Sequence, residues 1–179
     1  MQEELDLEIE LIIRSWPLEL VNGEPLLEAK TYANALALRE SIAPEIFAAI
    51  DEWSFPRTTL PGLELAAQVT KQSGSLGAEL SMALRVALFE EGRDIGEPSV
   101  LRSIAQDFEV TDREGGDAGV LADLADGRVR GVKGSPHFFC GERDMFCPTL
   151  DLTRDQSGQL EVQLMMERLQ DFMKSCTTT

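Results

Sequence analysis

The sequence predicts an α/β fold in which a long run of helices separates an early β-strand from a later β-hairpin. Residues 7–13 first alternate between polar and apolar and then become continuously apolar, as a strand entering a buried sheet does. Residues 26–108 show the apolar spacing of amphipathic helices. Residues 132–140 and 145–152 favour two strands joined by a turn at residues 141–144, with Pro148 marking an edge or a bulge. The predicted order is therefore strand, helical block, helix, hairpin, helix.

Prolines and glycines set the predicted helix boundaries. Pro56 and Pro61 cannot both lie inside one helix, so the helical block is expected to break between them. Gly92 is expected to end one helix in the left-handed conformation, and Pro98 is expected to begin the next. The apolar residues within 46–53 also recur at helical spacing, which predicts a helix there. Five further helices are predicted, over residues 63–72, 76–91, 98–107, 120–130 and 160–174.

Composition excludes several classes of function. The 179 residues suit one domain, or one domain with a large insertion, and they carry a formal net charge of −16. A strongly acidic chain lacks the clustered Lys and Arg that nucleic-acid phosphates require, and it would be repelled by an anionic membrane surface. No apolar run approaches the roughly 18 residues of a membrane span. The first residues do not have the pattern of a signal peptide, which predicts a cytoplasmic protein.

Metal and cofactor sites are not predicted. Three cysteines in this length do not form a disulfide scaffold, and no Cys-x-x-Cys pair occurs. The single histidine leaves too few nitrogen ligands for a usual zinc site. The glycine-rich residues 115–119 are not followed by Lys and Ser or Thr, so they do not form a phosphate loop.

The most informative segment is residues 131–139, Gly-Val-Lys-Gly-Ser-Pro-His-Phe-Phe. It resembles the Gly-Val-x-Gly-x-Pro-x-Phe element of the DsbA-like thioredoxin-fold oxidoreductases, in which the proline is cis. Residues 14–20 look like the segment that follows the second core strand of that family, and residues 84–95 look like its helical-domain signature. The helical block is also similar in size and position to the insertion in that family.

The resemblance implies an incomplete thioredoxin-like domain formed by residues 1–22 and 117–179, with residues 23–116 as an inserted helical domain. The family's first strand, its active-site motif and its first helix have no counterpart in this sequence. The resemblance therefore implies a thioredoxin-like fold that lacks its N-terminal βα unit. A second copy of the chain could complete such a sheet, so a homodimer is one expectation.

Four residues are expected to form a substrate site against the proline. Pro136 has no N–H, and Ser135 before it can present its backbone to an extended ligand strand. A cis bond before proline costs only about 0.5–1 kcal/mol. His137 is the best titratable candidate for catalysis, although a strand histidine that hydrogen bonds a neighbour is the more frequent case. Trp16, beside Pro17, could line the same cleft.

The function implied by the resemblance is thiol–disulfide exchange with a protein or small-molecule thiol or disulfide. Because Cys-x-x-Cys is absent, the chain is expected to be redox-inactive, with no certain catalytic residue. Cys140 and Cys147 form an alternative redox pair, but a short turn at residues 142–143 would make them only diagonal neighbours, beyond comfortable disulfide distance. Cys176 is predicted to be incidental. Two other functions remain open: a peptide- or thiol-binding module, and a relative of the kappa-type glutathione transferases.

Overall fold

A computed structural model describes residues 9–42, 44–108, 110, 116–154, 156 and 160–177. The helices in this part are α1 (Leu18–Asn22), α2 (Glu28–Ser41), α3 (Leu60–Gln72), α4 (Gly74–Arg85), α5 (Pro98–Asp107), α6 (Gly116–Arg130) and α7 (Met166–Cys176). A π-helical turn, Val86–Glu90, continues α4. The strands are β1 (His137–Cys140), β2 (Arg143–Phe146), β3 (Leu150–Arg154) and β4 (Leu160–Leu164).

The mixed α/β class is confirmed, with the strands arranged as two small antiparallel sheets. Strand β1 pairs with β2, and β3 pairs with β4. The predicted single strand over residues 145–152 is wrong, because the chain leaves the sheet between β2 and β3. Cys147 adopts a positive φ of 44° there, and Pro148 has no N–H for a ladder bond.

The early strand is also wrong where the structure describes it. Residues 9–13 have no regular secondary structure, and residues 7 and 8 lie outside the described residues. A β-carbon on Gly74 would lie 2.9 Å from the carboxylate of Glu10 and 3.3 Å from the Ile12 side chain. The segment therefore lies against the start of α4, and its apolar alternation does not reflect strand pairing.

The predicted ends of helices are confirmed more often than the predicted ranges of residues in each helix. Gly92 has the predicted left-handed φ, at 68°, and Pro98 begins α5 as predicted. Gly131 follows the end of α6 with a φ of 71°. The structure gives turns for the described residues of 44–52, where helical spacing predicted a helix. Residues 160–164, predicted as helix, form β4, since Leu-Glu-Val-Gln-Leu alternates with the period of a strand.

The main core lies among α3, α4, α5 and the π-helical turn. Its buried side chains are Leu65, Ala66, Val69, Leu80, Leu84, Ala87, Leu88, Ile95, Leu101, Ile104 and Ala105. Helix α6 crosses α3 closely, because a β-carbon on Gly119 would lie only 3.0 Å from that of Ala67. This crossing attaches α6, and the loop that follows it, to the helical core.

The segment of residues 15–19, which leads into and begins α1, is fixed by part-buried polar contacts. The backbone N–H of Ser15 donates to the Asp123 carboxylate of α6 at 2.9 Å. The carboxylate of Glu19, only 9% exposed, accepts from the backbone N–H and the hydroxyl of Thr59 and from the hydroxyl of Thr58, at 3.2–3.3 Å. Glu19 therefore satisfies donors at the start of α3, where a negative charge is also favoured by the helix dipole.

Replacing Glu19 by Ala is expected to lower the free energy of unfolding by roughly 1–3 kcal/mol, because it leaves buried donors unpaired. Glu19→Gln keeps an acceptor oxygen and should cost less. Chemical denaturation of the purified variants measures both values, with Glu24→Ala as a control in an exposed turn. Equal effects at positions 19 and 24 would contradict the capping role.

Candidate functional site

The loop of residues 131–136 leaves the end of α6 in a fixed direction. Gly131 closes the helix in the left-handed conformation, and the N–H of Val132 returns to the carbonyl of Gly127 at 2.9 Å. The ring of Trp16 packs on the same turn, because a β-carbon on Gly127 would lie 2.6 Å from it and 3.4 Å from Val132. Trp16 thus borders the start of the loop, where it contacts the helix backbone.

The peptide bond between Ser135 and Pro136 is cis, as predicted, and both residues are exposed. The carbonyl of Pro136 accepts a hydrogen bond from the N–H of Cys147 at 2.9 Å. The proline therefore sits at the open end of the hairpin, one position before β1, with its carbonyl held by the opposite chain.

The register of the hairpin shows which backbone groups of β1 point away from β2. Phe138 is opposite Met145 and Cys140 is opposite Arg143, while Pro136 already accepts from the chain across from it. Hydrogen-bonded pairs alternate along an antiparallel ladder, so the backbone hydrogen-bonding groups of residues 136, 138 and 140 point toward β2. His137 and Phe139 direct their N–H and C=O groups to the outer edge, and in the described part of the chain no strand pairs with that edge.

Two hydrogen bonds hold the imidazole of His137. The backbone N–H of Lys133 donates to Nδ1 at 3.3 Å, and Nε2 lies 2.9 Å from Oδ1 of Asp144. Because Nδ1 accepts, the proton of the neutral ring is on Nε2, which donates to the carboxylate. The side chain is only 2% exposed. Both nitrogens thus have partners, and the ring positions the loop against β2.

Aromatic side chains enclose the same imidazole. Its ring centroid lies 4.4 Å from that of Phe139 and 5.8 Å from that of Phe146. The guanidinium carbon of Arg130, at the end of α6, lies 5.5 Å from the centre of the Phe139 ring. A β-carbon on Gly134 would lie 2.9 Å from the Phe146 ring, so the loop needs glycine to approach β2 this closely.

The predicted register of the cysteines is wrong. The turn consists of Gly141 and Glu142, with Gly141 at a φ of 58°, and Phe138 is therefore opposite Met145, not Cys147. Cys147 lies across from Pro136, four positions along the ladder from Cys140, or roughly 13 Å at about 3.3 Å per residue. That separation is about twice the Cα distance that a disulfide allows, so this arrangement does not support a Cys140–Cys147 pair.

Two contacts in this region lie outside the sequence-based expectations. The sequence predicts Asp144 within the turn, yet Asp144 is the hydrogen-bond partner of His137. Once the turn is located at Gly141-Glu142, the two residues are diagonal neighbours across the hairpin. Cys176 is predicted to be incidental, yet its thiol donates to the carbonyl of Phe172 at 3.3 Å and lies near enough to Cys140 for that thiol to raise its pKa. Cys176 follows Phe172 by four residues and so lies on the same face of α7 as that buried side chain. This spacing is the feature of the sequence that could have predicted a packed position for Cys176.

Two cavities of the described region lie away from the proline. One, of about 390 Å³, is lined by residues of α4, the π-helical turn, α5 and the loop between them, and the other, of about 200 Å³, lies on β3 and β4. No group of three or more His, Cys, Asp or Glu among the described residues could hold a metal ion. None of the described helices has the length and apolar character needed to span a bilayer.

Comparison with known proteins adds no assignment. No family model matches the chain, and neither the curated proteins nor the solved structures include one that matches it with significant similarity.

The tautomer of His137 is a direct test of the site. Long-range ¹H–¹⁵N spectra at neutral pH are expected to show a proton on Nε2 and none on Nδ1, because Nδ1 accepts from Lys133. The assignment is unambiguous, since the chain has one histidine. Asp144→Asn and Asp144→Ala should both preserve the tautomer, because each leaves in place the Lys133 N–H that Nδ1 accepts. A dominant Nδ1–H form in the unsubstituted protein would contradict the described contacts.

Proposed function

We propose that this chain is a thioredoxin-like protein of the DsbA-like group that binds an extended peptide along the outer edge of β1. In this proposal the chain positions the peptide, and thiol–disulfide catalysis is not its activity. The supporting observation is that β1, which follows the exposed Ser135 and Pro136, directs backbone N–H and C=O groups to an outer edge that no strand of the described residues pairs with. An edge of this kind is a template for strand addition.

The placement of the side chains supports binding over catalysis. His137 is enclosed and hydrogen bonded at both nitrogens, so its ring does not face a ligand at the edge. The three cysteines form no Cys-x-x-Cys, and Cys140 lies on the face of β1 opposite to His137 because successive strand residues alternate. What remains at the edge is backbone, together with the exposed Ser135 and Pro136.

The available hydrogen bonds limit the affinity. His137 and Phe139 each offer one N–H and one C=O, and each bond contributes roughly 0.5–1.5 kcal/mol. Backbone pairing alone is therefore weak, and contacts of the peptide side chains must add to it. The net charge of −16 attracts cationic peptides over a long range, so a basic extended peptide is the proposed ligand class.

A fluorescein-labelled hexapeptide of alternating Val and Lys is the probe for this proposal. Fluorescence anisotropy should detect binding, and amide NMR signals of His137 and Phe139 should shift more than those of Phe138 and Cys140. A peptide with two N-methyl groups on alternate residues keeps one pairing edge intact and should still bind. A peptide with two N-methyl groups on adjacent residues loses both edges and should bind at least tenfold more weakly.

The two methylated peptides have the same composition, so they separate backbone pairing from charge attraction. Equal binding of both would contradict strand addition, as would the absence of binding by the unmodified peptide. Binding of glutathione at the same amides in place of the peptide would favour the transferase-related alternative.

A further inference from the structure

Helix α7 packs on the face of the β1–β2 hairpin that is opposite to His137. The rings of Phe138 and Phe172 meet edge to face with centroids 6.4 Å apart. The guanidinium of Arg143 donates to the backbone carbonyl of Ser175. Leu169 and Phe172 are buried, so the middle turn of α7 is covered on this side.

The repeat lengths of the two elements bring a pair of cysteines together in the same interface. Two residues along a strand advance about 6.7 Å, and four residues along a helix advance about 6.0 Å. Phe138 lies beside Phe172, and Arg143, directly opposite Cys140 in the hairpin, donates to the carbonyl of Ser175, so these two contacts place Cys140 close to Cys176. The Cys176 thiol donates to the carbonyl of Phe172 at 3.3 Å.

We propose that Cys140 and Cys176 form a reversible disulfide that attaches α7 covalently to the β1–β2 hairpin. The oxidant is a small-molecule disulfide. The thiolate of one cysteine attacks a sulfur of that disulfide, its S–S bond breaks, and one thiolate leaves. The second cysteine gives its proton to solvent and attacks the protein sulfur of the mixed disulfide, which releases the second small thiol. The protein loses two electrons and two protons, and the oxidant becomes two thiols.

The environment of Cys176 indicates the order of these steps. Burial and the neighbouring Cys140 thiol raise the pKa of the Cys176 thiol to about 11, against the weaker lowering by Arg143 and Ser175. Cys176 therefore stays protonated at neutral pH and is a poor first nucleophile. Cys140 makes the first attack, and Cys176 resolves the mixed disulfide. Alkaline conditions should accelerate the second step.

Incubation of the full chain with oxidised glutathione, followed by intact mass measurement and non-reducing peptide mapping, tests this assignment. The protein is expected to lose about two mass units, since two hydrogens leave, and to yield one linked peptide joining positions 140 and 176. Cys147→Ser should retain the linkage. Cys140→Ser and Cys176→Ser should abolish it, and Cys176→Ser should accumulate a glutathione adduct at Cys140.

Several results would overturn the assignment. A linkage through Cys147, a disulfide between two chains, or glutathione adducts without an internal disulfide in the unsubstituted protein would each contradict it. Failure of the peptide to bind β1 leaves this inference intact, because the cysteines lie on the face of the hairpin remote from His137 and need no peptide.

Discussion

The pair of hydrogen bonds to His137 is the constraint on which the geometry of this region depends. Lys133 holds Nδ1 from the loop side, and Asp144 holds Nε2 from β2, so a single ring joins the end of α6 to the hairpin. Phe139 and Phe146 close the space around it. With the ring enclosed, the cis peptide bond before Pro136 is left on the outside, and the free backbone of β1 continues from it.

The hairpin thus has two faces and one edge with different properties. One face carries the aromatic enclosure of His137, and the other carries α7 through the Phe138–Phe172 contact and the hydrogen bond from Arg143 to Ser175. Because side chains alternate along a strand, adjacent residues of β1 serve different faces. The outer edge belongs to neither face, so the outward backbone groups of β1 are separate from both sets of packed side chains.

Features that depend on local chemistry could be predicted from the sequence. Gly92 and Gly131 ended helices and Pro98 began one, because each residue type restricts its own backbone. The cis bond before Pro136 was expected from the resemblance of residues 131–139 to a family element. Features that depend on partners distant in sequence could not. Residues 9–13 have the pattern of a strand but lie against α4, and the hairpin register turned on whether the two-residue turn began at Gly141 or one residue later. That shift alone separated His137 from Asp144 in the predicted site.

Amide hydrogen exchange along β1 in the free protein is the measurement that bears most directly on the open edge. Phe138 and Cys140 direct their N–H groups toward β2 and should exchange slowly. His137 and Phe139 direct theirs outward and should exchange close to the rate of an unprotected amide. Protection of His137 and Phe139 equal to that of Phe138 and Cys140 would show that the outer edge is already paired, and it would contradict both the open strand edge and the peptide binding proposed for it.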